Sequence, residues 1–262
     1  MWRKGWPELI GPQVAVACSW RCMRPAEDLH RSCNARRDAV SVTDIILLSD
    51  PRVAATRVTD NGEALVDARE FAALRVDTRK SDDAGSYAHL RADVLRRLLL
   101  AQEALPPGVR LLMVEGFRPP ALQRRYFEEY AAALRLAHPD VGPDRIRELA
   151  SAYISPPEVA PHVSGGAVDL TLCTDDGVEL PLGTEVNATP EESAGGCRTG
   201  ALNIDAEARA HRAALGRAMT AAGFVNYPTE WWHWSYGDRY WALLTEAPAA
   251  KYGLATLSPT TV

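Results

Sequence analysis

Residues 109–117, VRLLMVEGF, make an apolar, partly β-branched run bracketed by Pro106-Pro107-Gly108 and Pro119-Pro120. The run is too short for a helix, so it reads as a buried strand. A second segment of this kind, GGAVDLTLC at 165–173, reads as another strand. Helical patterns surround them. Leu90, Val94, Leu98 and Ala101 recur at helical spacing over 88–105, up to the Pro-Pro-Gly stop. After the second proline pair, ALQRRYFEEYAAALRLA carries Leu122, Tyr126, Tyr130 and Leu134 on one face, a stripe that reads as core packing. Asp205 is placed to cap a helix that runs to Ala222, with Gly223 at the C′ position. FVNYPTEWWHWSY then reads as a strand, a proline turn and a final strand. TDIILLSD at 43–50 is expected to be an early strand and DNGE at 60–63 a turn. Gly183 and Asn187 mark loops, and EESAGGCRTG at 191–200 reads as a mobile surface loop. Helices and strands that alternate irregularly, with hairpin-like returns near the end, specify an α+β fold on a mixed or antiparallel sheet. Residues 1–40 show neither periodicity and read as an extension, 41–250 as the domain, and 251–262 as a tail.

A chain of 262 residues can bury a substantial core, and 47% hydrophobic with 24% charged residues is the composition of a soluble globular protein. The net charge of -5 argues against a general nucleic-acid binder, which needs a basic surface, and leaves small molecules or peptides as partners. No run of 18 apolar residues exists, so no membrane span is expected. MWRKG and Ala15-Val16-Ala17-Cys18 sketch a secretion signal, but Pro7, Glu8 and Pro12 interrupt its apolar stretch. Cys18, Cys22, Cys33, Cys173 and Cys197 are odd in number and irregular in spacing, which fits reduced thiols and a cytoplasmic location. The first three have no fourth zinc ligand nearby except His30, and their grouping reads as coincidence.

The chemistry concentrates in PHVSGGAVDLTL at 161–172 and TEWWHW at 229–234. His162, Asp169 and His233 have the donor set of a catalytic zinc site, two imidazoles and a carboxylate with a fourth position left for water. A strand holds Asp169 rigid, and Gly165 and Gly166 let His162 fold back toward it. Glu230, three residues before His233, is close enough to deprotonate an activated water without ligating the metal, and the tryptophans would wall the site. Spacing alone leaves structural alternatives open, because H-x6-D is far less specific than H-E-x-x-H. Glu230 could be a carboxylate paired with an arginine, and Asp169 a strand-end residue serving backbone amides. His30, His89, His138 and His211 read as ordinary histidines.

HVSGGAVD followed much later by EWWH resembles the D-alanyl-D-alanine dipeptidase family, the VanX-type zinc peptidases of family M15. Their pattern is H-x-x-G-x-A-x-D and then E-x-W-H. EGFRPPALQ is similar to the family segment with an arginine before proline, and PLGT at 181–184 to its segment after the metal aspartate. The likeness runs from about Tyr87 to about Trp241. It implies an α+β fold with a central, mostly antiparallel sheet flanked by helices, as in Hedgehog and DD-peptidases. It also implies one zinc ion on His162, Asp169 and His233, Glu230 as general base, and Arg118 as the cation facing the oxyanion. A guanidinium at the end of a buried strand suits that task; its structural alternative is an ion pair with Glu115 or Asp169.

Two positions depart from the family. Ala160 stands where it carries a serine, and Asn187 where it carries an aspartate, both of which help hold the free amino group of a dipeptide. The expected activity is therefore a zinc dipeptidase acting on D-Ala-D-Ala or a similar short D-amino-acid peptide, with a looser grip on the amino end. The alternatives are a related metallopeptidase or amidase acting on another small amide, and a zinc-dependent binding protein without catalysis. Glu230 speaks against the last, since a binder needs no base beside the metal.

Overall fold

The computed structural model describes residues 45–151 and 154–257. The expectations for residues 1–40, including those for Cys18, Cys22, Cys33 and His30, lie outside the described residues. The strands are β1 (Leu65–Asp67), β2 (Arg75–Val76), β3 (His89–Arg91), β4 (Val109–Glu115), β5 (Ala167–Thr174), β6 (Val225–Asn226) and β7 (His233–Ser235). The α-helices are α1 (Pro51–Ala55), α2 (Ala92–Glu103), α3 (Pro120–Ala137), α4 (Pro143–Ser151), α5 (Ala206–Ala221) and α6 (Arg239–Leu244). Five strands form one sheet in the order β2-β4-β5-β7-β6, antiparallel throughout except for the short β2–β4 pair; β1 and β3 pair separately. The fold is α+β on a mostly antiparallel sheet, as its alternating pattern requires.

The two long strands, β4 and β5, explain the core. Side chains alternate across a strand, so Val168, Leu170 and Leu172 face one way and Asp169 and Thr171 the other. The first set meets Leu111 and Met113 of β4, the stripe Val94, Leu98 and Ala101 of α2, and Leu215, Ala218 and Met219 of α5. Each fully buried leucine there contributes about 2 kcal/mol, and together they fix the sheet as a rigid platform. Helix α5 begins and ends on the expected signals. Asp205 Oδ1 accepts from the Ala208 amide at 2.7 Å, and Gly223 closes the far end at φ 88°.

Three readings change. The helix expected over 88–105 starts only at Ala92, because residues 89–91 are recruited by β1. On α3 the buried residues are Gln123, Phe127 and Ala131, one position along from the expected stripe. The reason is its partner: α3 packs on Ile146 and Ala150 of α4, and Tyr130 and Leu134 flank that contact half-buried. Residues 45–50 form no strand. Ile46, Leu47 and Leu48 instead bury their side chains in a satellite cluster with Val53, Tyr227 and Tyr240, and Asp50 caps α1. In the segment 251–257 the amides of Lys251 and Tyr252 donate to the Gly237 carbonyl, and the Ala255 amide to Val163.

The loop at 191–200 is tied down from below. The buried Arg212 of α5 donates to the carbonyls of Leu182, Gly196 and Arg198 at 2.7–2.8 Å, and its guanidinium lies 5.2 Å from the Trp231 ring centre.

Candidate active site

The site is one row across the sheet. On neighbouring strands Glu115 of β4 lies opposite Asp169 of β5, and Asp169 lies opposite His233 of β7. Directly opposed residues share a face, so all three project from the side of the sheet away from the α2–α5 core. Glu115 belongs to this row only because β4 is irregular. Met113 pairs with Leu170 and Glu115 with Asp169, so Val114 is an extra residue. Without that bulge Val114 would stand opposite Asp169; with it Val114 joins the core and Glu115 turns to the site.

His162 arrives from a different direction, on the single 3₁₀ turn Pro161–Ser164. Gly165 ends that turn at φ 70°, a left-handed conformation that L side chains rarely adopt, and a Cβ there would come 2.4 Å from Leu65 Cδ2. Two hydrogen bonds then lock the turn to the end of β4: His162 Nδ1–H donates to the Gly116 carbonyl at 2.7 Å, and the Arg118 amide donates to the His162 carbonyl at 3.2 Å. With Nδ1 so engaged, the lone pair of neutral His162 sits on Nε2, which points into the row.

There the donor atoms converge. His162 Nε2, Asp169 Oδ1 and His233 Nδ1 form a triangle with sides of 3.0, 3.2 and 3.4 Å. Bonds of about 2.0–2.1 Å to a tetrahedral zinc place ligand atoms about 3.3 Å apart, so both the donor set and its spacing fit that ion. All three residues are buried, and they are the group able to hold a metal among the described residues. Burial disfavours charge on Asp169 and on His162, but each offsets this for the other. Asp169 is held far below the usual carboxylate range and His162 is raised.

Glu230 lies in the turn between β6 and β7, where its amide donates to the Tyr227 carbonyl and its carbonyl accepts from the His233 amide and from Asn226 Nδ2. Burial pushes its carboxyl up to about 7, against the pull of His233. Beneath it the Trp231 amide donates to Cys197, and the Trp231 indole N–H to Thr184 Oγ1 at 2.8 Å, which joins this turn to the loop above α5. The expected tryptophan wall is thus part of the main core, with Trp231, Trp232 and Trp234 all buried in it.

For Arg118 the ion pair with Glu115 is the contact present. Nε and Nη2 donate to the two Glu115 oxygens at 2.7 and 2.6 Å, and Nη1 donates to Gln123 Oε1 at 2.7 Å. Gln123 in turn donates to the Ser155 carbonyl. Arginine has five N–H donors, so two stay outside these bonds, and the clamp fixes their direction. Burial raises the Glu115 carboxyl, but the Arg118 charge outweighs it and holds the pair ionised. Sequence reasoning named Glu115 only as a structural partner and did not single out Gln123; the spacing of three from Glu115 to Arg118 was the available signal. Of the two departures from the family pattern, Ala160 is buried just before the 3₁₀ turn, and Asn187 is exposed at φ 66°. Of the other described histidines, His89 and His211 bond backbone carbonyls at 2.8 Å, and His138 ends α3.

Known proteins resemble this chain in sequence. Residues 83–248 match the peptidase M15 family, described as D-ala-D-ala dipeptidase. A D-alanyl-D-alanine dipeptidase of Synechocystis sp. (strain ATCC 27184 / PCC 6803 / Kazusa) is 30% identical over 175 residues, covering 58% of this chain and 71% of that protein. One of Enterococcus faecium is 28% identical over 153 residues, covering 56% and 72%. Solved structures are matched more loosely. The LD-carboxypeptidase LdcB gives a TM-score of 0.40 at 14% identity, covering 73% of this chain and 76% of that one. VanYB in complex with D-alanine-D-alanine gives 0.36 at 16%, covering 65% and 83%. The stretch matched to the family takes in the whole row of Glu115, Asp169 and His233 together with Arg118, His162 and Glu230, and the chain belongs to the D-alanyl-D-alanine dipeptidase family of M15 zinc peptidases.

Proposed function

We propose that the protein hydrolyses D-Ala-D-Ala or a similarly short D-amino-acid peptide, with one zinc ion on His162, Asp169 and His233. The observation that carries this reading is the triangle of donor atoms, whose sides match the edges of a zinc tetrahedron. Zinc, when bound, supplies a Lewis acid that lowers the pKa of water toward ~7. The rest of the chemistry belongs to the chain. Glu230, with a carboxyl near the working pH, takes a proton from the attacking water and delivers it to the departing amine. Arg118 turns its two unengaged N–H donors to the carbonyl oxygen that gains charge as the peptide carbon becomes tetrahedral. Glu115 and Gln123 hold that guanidinium plane, so little reorganisation is needed as the charge develops. The protein acts on a small peptide, binds no nucleic acid and works in the cytoplasm. Ala160 and Asn187 favour a wider range at the amino end, because neither offers the ammonium a charged partner.

The test is turnover of zinc-loaded protein on free and N-blocked dipeptides of both chiralities. Glu230→Gln keeps the shape and removes the base, so it should retain zinc and lose ~10²-fold or more in kcat. A Glu230→Gln protein as fast as the parent on its best substrate would make Glu230 structural.

A further inference from the structure

His233 has a second ring nitrogen, and what stands behind it has no part in the chemistry above. Nδ1 faces Asp169 and His162, so Nε2 points the other way, toward Ser235 Oγ at 3.5 Å. The contact follows from the strand, since residues two apart on β7 share a face. Beyond Ser235 the chain reverses at Gly237, φ 73°, where a Cβ would come 2.4 Å from the Tyr252 ring. The reversal brings Asp238 back beneath the strand. Asp238 Oδ1 accepts from the Trp241 amide at 2.8 Å and caps α6. Its Oδ2 is buried and has no hydrogen-bond partner among the described contacts. Ser235 is 0% exposed and Asp238 is 2% exposed. A cap alone does not account for this, because serine or asparagine would cap as well without burying a second carboxylate oxygen. Burial pushes the Asp238 carboxyl up, and the Trp241 amide, the Ser235 side chain and the charges of His233 and His162 oppose it in that order.

We propose that Ser235 and Asp238 are positioning residues for His233: the Nε2–H donates to Ser235 Oγ, the Ser235 hydroxyl donates to Asp238 Oδ2, and the carboxylate behind the imidazole fixes its tautomer and ring angle. This rests on the reading of His233 as a zinc ligand. A carboxylate-backed histidine is the more basic and better oriented ligand, and loss of such an outer partner typically weakens metal binding by 10–100-fold. Ser235 interposes a hydroxyl between ring and carboxylate, so the effect is relayed.

The experiment is zinc titration of the purified full chain against a chromophoric chelator, for the parent, Ser235→Ala, Asp238→Asn, the double variant and His233→Ala. Asparagine keeps the cap on α6, and Ser235→Ala removes a single oxygen, so two independent variants report on the relay. Each single variant should raise the zinc Kd by about 10–100-fold. The double variant should be no weaker than the weaker single one, because both break the same chain. The cobalt-loaded variants should shift the visible absorption of the parent, a change in ligand field that a purely structural role would not produce. If both variants hold zinc within about twofold of the parent, or their effects multiply in the double variant, the relay is wrong. If His233→Ala itself binds zinc as the parent does, the ligand assignment fails instead, and the two failures are distinguishable.

Discussion

Glu230→Gln should stabilise the metal-free protein at pH 8 and leave it unchanged near pH 4.5. The Glu230 carboxyl is raised from its ordinary 4.5 to about 7 by burial. A raised carboxyl means that the folded state binds the proton more tightly than the unfolded chain. That advantage is present in full below the unfolded value and is lost as pH rises through about 7. At about 1.4 kcal/mol per pH unit the ionised form costs the fold about 3 kcal/mol, an upper figure because the residue is partly open to solvent. Glutamine has nearly the same shape and never ionises, so the cost disappears. The assay is urea unfolding of chelator-treated parent and variant, followed by the emission of Trp231, Trp232 and Trp234, at intervals from pH 4.5 to 8. With a slope of about 2 kcal/mol per molar urea, the midpoints should coincide at the acid end and differ by up to about 1.5 M at pH 8. Zinc should narrow the gap, because a nearby dication favours the carboxylate. A difference in midpoint that stays constant across the range would refute the argument that burial strains Glu230.

His233→Ala should drop the zinc content measured by elemental analysis from one per chain to well below it, while the fold survives on the large α2–α5 core. Arg118→Ala should lower kcat on the true dipeptide by ~10²-fold with zinc content unchanged, since it removes an interaction made as charge develops. Asn187→Asp should raise kcat/KM for free D-Ala-D-Ala relative to its N-acylated form, because a charged partner holds an ammonium more strongly than an amide does, at roughly 1.5–3 against 0.5–1.5 kcal/mol. Aspartate tolerates the left-handed backbone found there. A parent that already rejects the N-acylated form completely would point to another acid at the amino end.

The elements that could be read in advance are those whose signals are local. Strands β4 and β5 carry unbroken apolar runs, and α5 has Asp205 at one end and Gly223 at the other, so their extents follow from nearby residues. The pieces that escaped are decided by partners far away in the chain. Strands β2 and β6 are two residues long and exist because β4 and β7 offer free edges. The buried face of α3 is set by α4, a short helix whose few apolar residues give little pattern, so aromatic residues that looked like core came to lie beside it. The apolar run at 46–48 satisfies burial without a ladder, an outcome that hydrophobicity alone does not separate from a strand. In the site, His162, Asp169, His233 and Glu230 stood out by residue type among glycines and tryptophans, but spacing left structural alternatives open and only the family resemblance implied their roles. Ser235 and Asp238 were not, since serine and aspartate near a glycine ordinarily mark a turn.

The extra residue in β4 separates two demands that a regular strand would couple. Up to Met113 the strand is phased by the core, with Val109, Leu111 and Met113 turned toward the side of the sheet that packs on α2 and α5. From Glu115 onward it is phased by Asp169, and Gly116 and Arg118 inherit that setting through their bonds to His162. Val114 is the joint between these two frames. Met113 still packs against Gly116, where a Cβ would come 2.6 Å from its Cε, so the core supports the carbonyl that holds His162. Core and site thus meet across a single valine.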